Sequence, residues 1–165
     1  MHVFIDMDGV LADFDKRAIE IVGCRPRDYE NQAGEASLWE KLYSYKNFFL
    51  SLEPMYDAFD LWQGVHELGF KPTILTGTPR EDGFSIHPAT QKKMWAKKWF
   101  DTDRVITCKS RDKFKHITQP GDVLIDDWKK YILLWEKAGG VFILHQSAEE
   151  SLRALKAYVT QQKLI

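Results

Sequence analysis

The feature that most restricts the fold of this chain is the regular alternation of short apolar runs with longer stretches of helical spacing. Five runs rich in β-branched and aliphatic residues recur: HVFI (2–5), PTILT (72–76), RVIT (104–107), DVLID (122–126) and VFIL (141–144). Their apolar residues are continuous rather than alternating, as expected of strands covered on both faces. Between them, DAFDLWQGVHELGF (57–70), PATQKKMWAKKWF (88–100) and DWKKYILLWEKAG (127–139) place apolar residues three or four apart, and the last ends on a glycine suited to a helix C-terminus. A final helix is predicted over SAEESLRALKAYVTQQ (147–162). Strands joined through helices pair in parallel by crossover connections, so the expectation is an α/β fold with a sheet of about five parallel strands between helices. Ligands of such sheets gather at the carboxyl ends of the strands.

The stretch from 15 to 52 breaks this rhythm. It offers a helix (DKRAIEIVG, 15–23), a polar loop (CRPRDYENQAGEA, 24–36) and an aromatic-rich segment (SLWEKLYSYKNFFLSL, 37–52), with no candidate core strand. The expected organisation is therefore a catalytic core of residues 1–14 and 53–165, with a small helical cap of residues 15–52 inserted after the first strand. At 165 residues the chain suffices for one core of ordinary size. A formal net charge of -1 gives no global attraction to a nucleic-acid polymer or a membrane surface, so any anion site must be local. No apolar stretch approaches the roughly 18 residues of a membrane span, and a cytoplasmic protein is expected, with Cys24 and Cys108 as free thiols.

The chemistry lies in the residues just beyond each strand. After the first come Asp6 and Asp8; after the second, Thr76, Gly77 and Thr78; after the third, Lys109 and Lys113; and after the fourth, Asp126 and Asp127. Each alone has an ordinary explanation, since acidic residues after strands are often turn formers or helix caps. Two acidic pairs on strands that a parallel sheet can set side by side are different, because clustered carboxylates repel unless a cation or a proton intervenes. Carboxylates, hydroxyls and lysines on one rim are what phosphoryl transfer uses: hard oxygen ligands for Mg²⁺, a nucleophile, donors to phosphate oxygens and a fixed cation. In PATQKKMWAKKWF, Lys92 falls on the same arc as Trp95, Ala96 and Trp99, whereas Lys93 and Lys97 fall on the other side. A lysine on the inward face near the first helical turn can reach the catalytic rim.

The string DMDGVLADF, succeeded in order by LTGT, a lysine and LIDD, resembles the haloacid dehalogenase superfamily. Within it, KNFFLSLEPM (46–55), ILTGTP (74–79), HPATQKKMWAKKWF (87–100), SRDK (110–113) and LIDD (124–127) resemble the 5'(3')-deoxyribonucleotidases. The resemblance implies a Rossmann-like core and a magnesium-dependent phosphomonoesterase working through an aspartyl-phosphate. It implies Asp6 as nucleophile, Asp8 as general acid/base, and Thr76, Gly77, Lys92 and Lys113 as phosphate-binding residues. Asp6, Asp8 through its main-chain carbonyl, Asp126 and Asp127 would form the metal set. Asp8 argues against dehalogenation, because dehalogenases of this superfamily lack an aspartate two residues after the nucleophile. Phe14 matches the family's pocket aromatic, while Trp39, Tyr43, Tyr45, Phe48 and Phe49 are further aromatics for base stacking or for the cap's own core. Asp13 is expected to organise the start of the cap. The implied partner is a small phosphomonoester, a nucleoside monophosphate, and family habit suggests a homodimer. Trp128 stands where the mammalian enzymes carry an arginine. A phosphatase for another small phosphoester such as a sugar phosphate, and a non-catalytic nucleotide-binding module, remain as alternative functions.

Overall fold

The computed structural model describes residues 1–79 and 86–163. The elements run β1 (Val3–Ile5), α1 (Phe14–Val22), α2 (Pro26–Ala33), α3 (Glu35–Tyr43), α4 (Ala58–Glu67), β2 (Thr73–Gly77), α5 (Pro88–Phe100), β3 (Val105–Cys108), β4 (Val123–Asp126), α6 (Ile132–Lys137), β5 (Val141–Leu144) and α7 (Ala148–Gln162). Short 3₁₀ turns occupy Phe49–Ser51, Ser110–His116 and Lys129–Tyr131. All five strands pair in parallel in the order β3-β2-β1-β4-β5. The expected α/β architecture is therefore the one observed.

Strand order decides where a site can form. The chain leaves β1 to build β2 and β3 on one side, then crosses to build β4 and β5 on the other. The carboxyl ends of β1 and β4 consequently flank the point where the connections diverge, the usual position of a crevice in an open α/β sheet. Side-chain alternation along the strands divides the interior. Val3 and Ile5 of β1, Ile74 of β2 and Val123 and Ile125 of β4 join the larger core with Trp95, Leu61 and Leu155 of the helices. Phe4, Leu75 and Leu124 point into a smaller core with Trp135 of α6. Leu38, Leu42, Phe48 and Phe49, from the segment between β1 and α4, are fully buried in the larger core.

Two expectations about local structure are corrected. The polar stretch at 24–36 is helical over Pro26–Ala33: Pro26 stands in the first turn with Asp28, and the amide of Gly34 closes the far end on the Glu30 carbonyl. Its polarity reflects a helix with little buried surface, since only Pro26 is buried. The helix expected over 127–139 is shortened to a 3₁₀ turn and α6. The carboxylate of Asp126 accepts the Trp128 amide at 2.8 Å and so holds a turn where the helix was to begin.

Asp122 fixes the relative height of β1 and β4. Its buried carboxylate accepts the His2 amide (2.7 Å), the Thr118 amide (2.8 Å) and hydroxyl (2.8 Å), and the Gln119 amide (3.2 Å). Burial alone would raise its pKa, but these donors outweigh it and hold the pKa below the usual value. A depressed folded-state pKa contributes stability that is present above the unfolded value and is lost as pH falls through the folded one. Asp122→Ala should cost about 2–4 kcal/mol in denaturant titrations near neutrality, and the difference from wild type should shrink as the medium is acidified below about pH 4.

Candidate active site

Parallel pairing brings two acidic strand ends together. Ile5 of β1 lies opposite Ile125 of β4, and the Asp6 amide donates to the Ile125 carbonyl at 2.9 Å, so Asp6 emerges beside Asp126. Both are buried, and Lys113 from the Ser110–His116 turn stands between them, 2.9 Å from Asp6 Oδ1 and 2.7 Å from Asp126 Oδ2. Lys113 is itself buried, whereas Lys109 is exposed. Asp127 completes the cluster: carboxylate oxygens of Asp6, Asp126 and Asp127 lie within 4.8 Å of one another. Gly9 permits this approach. Its φ is +79°, and a Cβ at this position would stand 2.2 Å from Asp127 Oδ2. The glycine of the DMDG string thus serves both the turn after β1 and the seating of the second acidic pair.

A second charged group lies alongside. The Nζ of Lys92 donates to Asp8 Oδ2 at 2.6 Å, to Thr76 Oγ1 at 2.9 Å and to the Gly77 carbonyl at 2.6 Å. The inward face predicted for α5 is realised, with Lys92, Trp95 and Ala96 fully buried while Lys93 and Lys97 face solvent. The ring of Phe49 lies under the ammonium, 4.5 Å from nitrogen to centroid. Sequence reasoning places neither Phe49 nor Gln91 in this neighbourhood. Gln91 is buried beside Lys92, donates to the Ile86 carbonyl at 2.7 Å and accepts the Leu50 amide at 3.3 Å, the latter tying α5 to the segment between β1 and α4. Ser110 also lies close: a Cβ on Gly77 would meet its hydroxyl at 2.1 Å. Apart from the Gln91–Ile86 bond these contacts join residues far apart in the chain, and only Gln91, on the same inward arc as Lys92, carries a readable signal.

Phe14 opens α1, and its ring meets Phe48 edge-on at 5.4 Å and Trp39 at 6.1 Å. Phe48 in turn packs on Phe49 at 5.1 Å, so a row of aromatic contacts leads from Phe14 to Lys92. Phe48 and Phe49 are core residues, Phe14, Trp39 and Tyr43 are half-buried, and Tyr45 is exposed. Asp13 caps α1 by accepting the Lys16 amide at 3.1 Å and is not part of the acidic cluster.

The electrostatics reflect crowding. Burial, then the neighbouring charges of Asp6 and Asp126, pushes Asp127 up to about 7 even though the residue keeps solvent exposure. Burial and Asp6 push Asp126 up to about 6 against the pull of Lys113. Burial likewise raises Asp8, opposed by Lys92 and reinforced by Asp6. For Lys113, burial acts to lower the pKa, but the flanking carboxylates win and hold it above its ordinary value. Oδ1 of Asp6 touches Lys113 but has no well-formed hydrogen bond, and Oδ1 of Asp8 is buried without a partner among the described residues. Three convergent carboxylates with unsatisfied buried oxygen suit a hard divalent cation of the Mg²⁺ type.

No protein-family model and no curated protein sequence matches this chain. Its fold does have solved counterparts. A haloacid dehalogenase-superfamily hydrolase from Ehrlichia chaffeensis aligns at a TM-score of 0.59 with 12% identity, covering 96% of this chain and 97% of that one. A "predicted phosphatase" from Clostridium acetobutylicum aligns at 0.55 with 11% identity, covering 94% and 98%. A hydrolase from Streptococcus pneumoniae aligns at 0.54 with 14% identity over the same shares, 94% and 98%. The chain thus has the Rossmann-like fold of the haloacid dehalogenase-superfamily hydrolases. Among the described residues, no helix is long and apolar enough to cross a membrane.

The raised carboxylates give stability a pH dependence of defined sign. In the folded chain Asp126 and Asp127 keep protons that the unfolded chain releases near the ordinary value of 3.8. Without a divalent cation, their contribution to stability is full below that value and is lost as pH rises through about 6 and 7. A cation requires the ionised forms, so its stabilisation should grow over the same interval. Thermal melts should show a larger upward shift on adding MgCl₂ at about pH 8 than at about pH 5.5, and Asp127→Asn should remove most of the difference. Equal shifts at both pH values would count against a cation held by this cluster.

Proposed function

We propose that this protein is a magnesium-dependent phosphomonoesterase that works through an aspartyl-phosphate on Asp6, with deoxyribonucleoside monophosphates as its substrates. The observation that carries this reading is that Asp6 and Asp8, two residues apart, have separate environments suited to separate tasks. Asp6 is held by Lys113 beside the acidic cluster, while Asp8 belongs to the Lys92 group and has a raised pKa. A carboxylate beside a fixed cation and an acidic cluster suits nucleophilic attack, and one whose pKa is raised suits proton donation.

In this reading an Asp6 oxygen forms a bond to phosphorus as the bond from phosphorus to the leaving oxygen breaks, and Asp8 gives that oxygen its proton. Asp8 then takes a proton from water as the water oxygen attacks phosphorus and releases Asp6. Lys113, between Asp6 and Asp126, offsets the charge of nucleophile and phosphate, and the Thr76 hydroxyl with the Gly77 amide holds the phosphoryl oxygens. Bound by Asp6, Asp126, Asp127 and the main-chain carbonyl of Asp8, Mg²⁺ would supply the charge that lets a carboxylate approach a phosphate dianion. The 15–52 segment serves as cap, with Phe14, Trp39 and Tyr43 as the half-exposed rings that meet a base. The nucleotide assignment is supported by the sequence stretches resembling deoxyribonucleotidases and by this aromatic row.

Phosphate release with MgCl₂, from a panel of nucleoside monophosphates and sugar phosphates, tests the reading. Asp6→Asn should reduce turnover to background with an intact fold, and Asp8→Asn should lower kcat/KM on nucleotides roughly 10²–10⁴-fold. Hydrolysis of sugar phosphates alone would remove the nucleotide assignment. An inert wild type across the panel would instead favour a binding module.

A further inference from the structure

The three hydrogen bonds of Lys92 point to a role that the resemblance does not assign it. A lysine ammonium has three N–H donors. Here all three are committed to the protein: Asp8 Oδ2 at 2.6 Å, Thr76 Oγ1 at 2.9 Å and the Gly77 carbonyl at 2.6 Å. The side chain is fully buried, and Phe49 lies against the ammonium. No donor remains for a phosphate oxygen unless one of these bonds is given up in a site closed to solvent on the lysine's side.

From this geometry we infer that Lys92 is not a phosphate ligand but the positioning residue for the general acid Asp8, an inference that rests on the phosphatase reading above. Among the described residues, Lys92 is the sole hydrogen-bond partner of the Asp8 carboxyl, because the other oxygen, Oδ1, is buried and unpartnered. The ammonium therefore sets the rotation of the carboxyl about its own stem. At Thr76 it occupies a lone pair of Oγ1, and the only acceptor near the hydroxyl proton, among the described residues, is the Gly77 carbonyl at a long 3.4 Å. Lys92 so links the acid that succeeds β1 to the phosphate-facing end of β2, and a rigid α5 face with Trp95 and Ala96 holds the link in place.

The balance of the step assigned to Asp8 is simple: as the bond from phosphorus to the leaving oxygen breaks, the carboxyl proton moves to that oxygen and Asp8 becomes a carboxylate paired with Lys92. Leaving groups of low basicity do not need this proton. Lys92→Met should therefore lower kcat/KM for an alkyl phosphomonoester such as a deoxynucleoside monophosphate about 10²-fold, yet change kcat/KM for p-nitrophenyl phosphate by less than about threefold. The same contrast should appear in Asp8→Asn, and Lys92→Met added to Asp8→Asn should cause no further loss. Equal losses on both substrates, additive with Asp8→Asn, and weaker inhibition by inorganic phosphate would show a phosphate ligand and overturn the inference. If Lys92→Met does not fold, a crystal structure of Asp6→Asn with MgCl₂ and inorganic phosphate decides the matter. Lys92 should keep its three protein acceptors, and an Nζ within about 3 Å of a phosphate oxygen would overturn the assignment. Absence of any phosphatase activity in the wild type would defeat the functional reading separately, since the phosphate complex reads the lysine's partners without turnover.

Discussion

The organisation of this molecule depends on the repulsion among carboxylates that the sheet forces together. Parallel pairing of β1 with β4 places Asp6 beside Asp126, and Gly9 lets Asp127 close on them. Burying like charges in such a space is costly, and the protein answers in two ways. A buried lysine neutralises part of the charge, and part of the remainder is relieved by protons, visible in the raised pKa values of Asp126 and Asp127. The cluster is thus electrostatically unfinished, a condition that a cation would complete.

Two lysines from different parts of the chain divide the acidic rim into two units. Lys113 comes from a 3₁₀ turn after β3 and serves Asp6 and Asp126, while Lys92 comes from α5 and serves Asp8. Asp6 and Asp8 lie just beyond the end of β1 at Ile5, with Met7, fully buried, between them where the chain turns. Neighbouring carboxylates of the same type thus meet different partners, as the proposed division into nucleophile and proton donor requires. The fully buried Phe49 and the Gln91 bond to Leu50 extend this organisation into the segment between β1 and α4. The support of the site and the packing of that segment are therefore one structure.

Much of this is legible in the chain because its causes are local. Strand runs stand out as continuous β-branched segments, and each observed strand lies within one or two residues of the expected limits. The inward face of α5 shows in the spacing of Lys92, Trp95 and Ala96. The helix at Pro26–Ala33 reads as a loop because apolar periodicity reports burial, and this helix buries almost nothing. The aromatic-rich segment does not divide into core and rim residues on sequence alone. Burial of Phe48 and Phe49 against half-exposure of Phe14 and Trp39 is set by the sheet and α5 beneath them.

The sequence by itself determined the α/β class, the acidic residues at the ends of two strands, and a lysine on the wrong side of a helix, because periodicity and strand-end chemistry need only neighbours in the chain. Only the tertiary structure decided which lysine holds which aspartate and which side chains use up the donors of Lys92. Those are contacts across 84 positions between Lys92 and Asp8, and 13 between Lys113 and Asp126. Such pairings depend on strand order and helix placement, which no local pattern encodes.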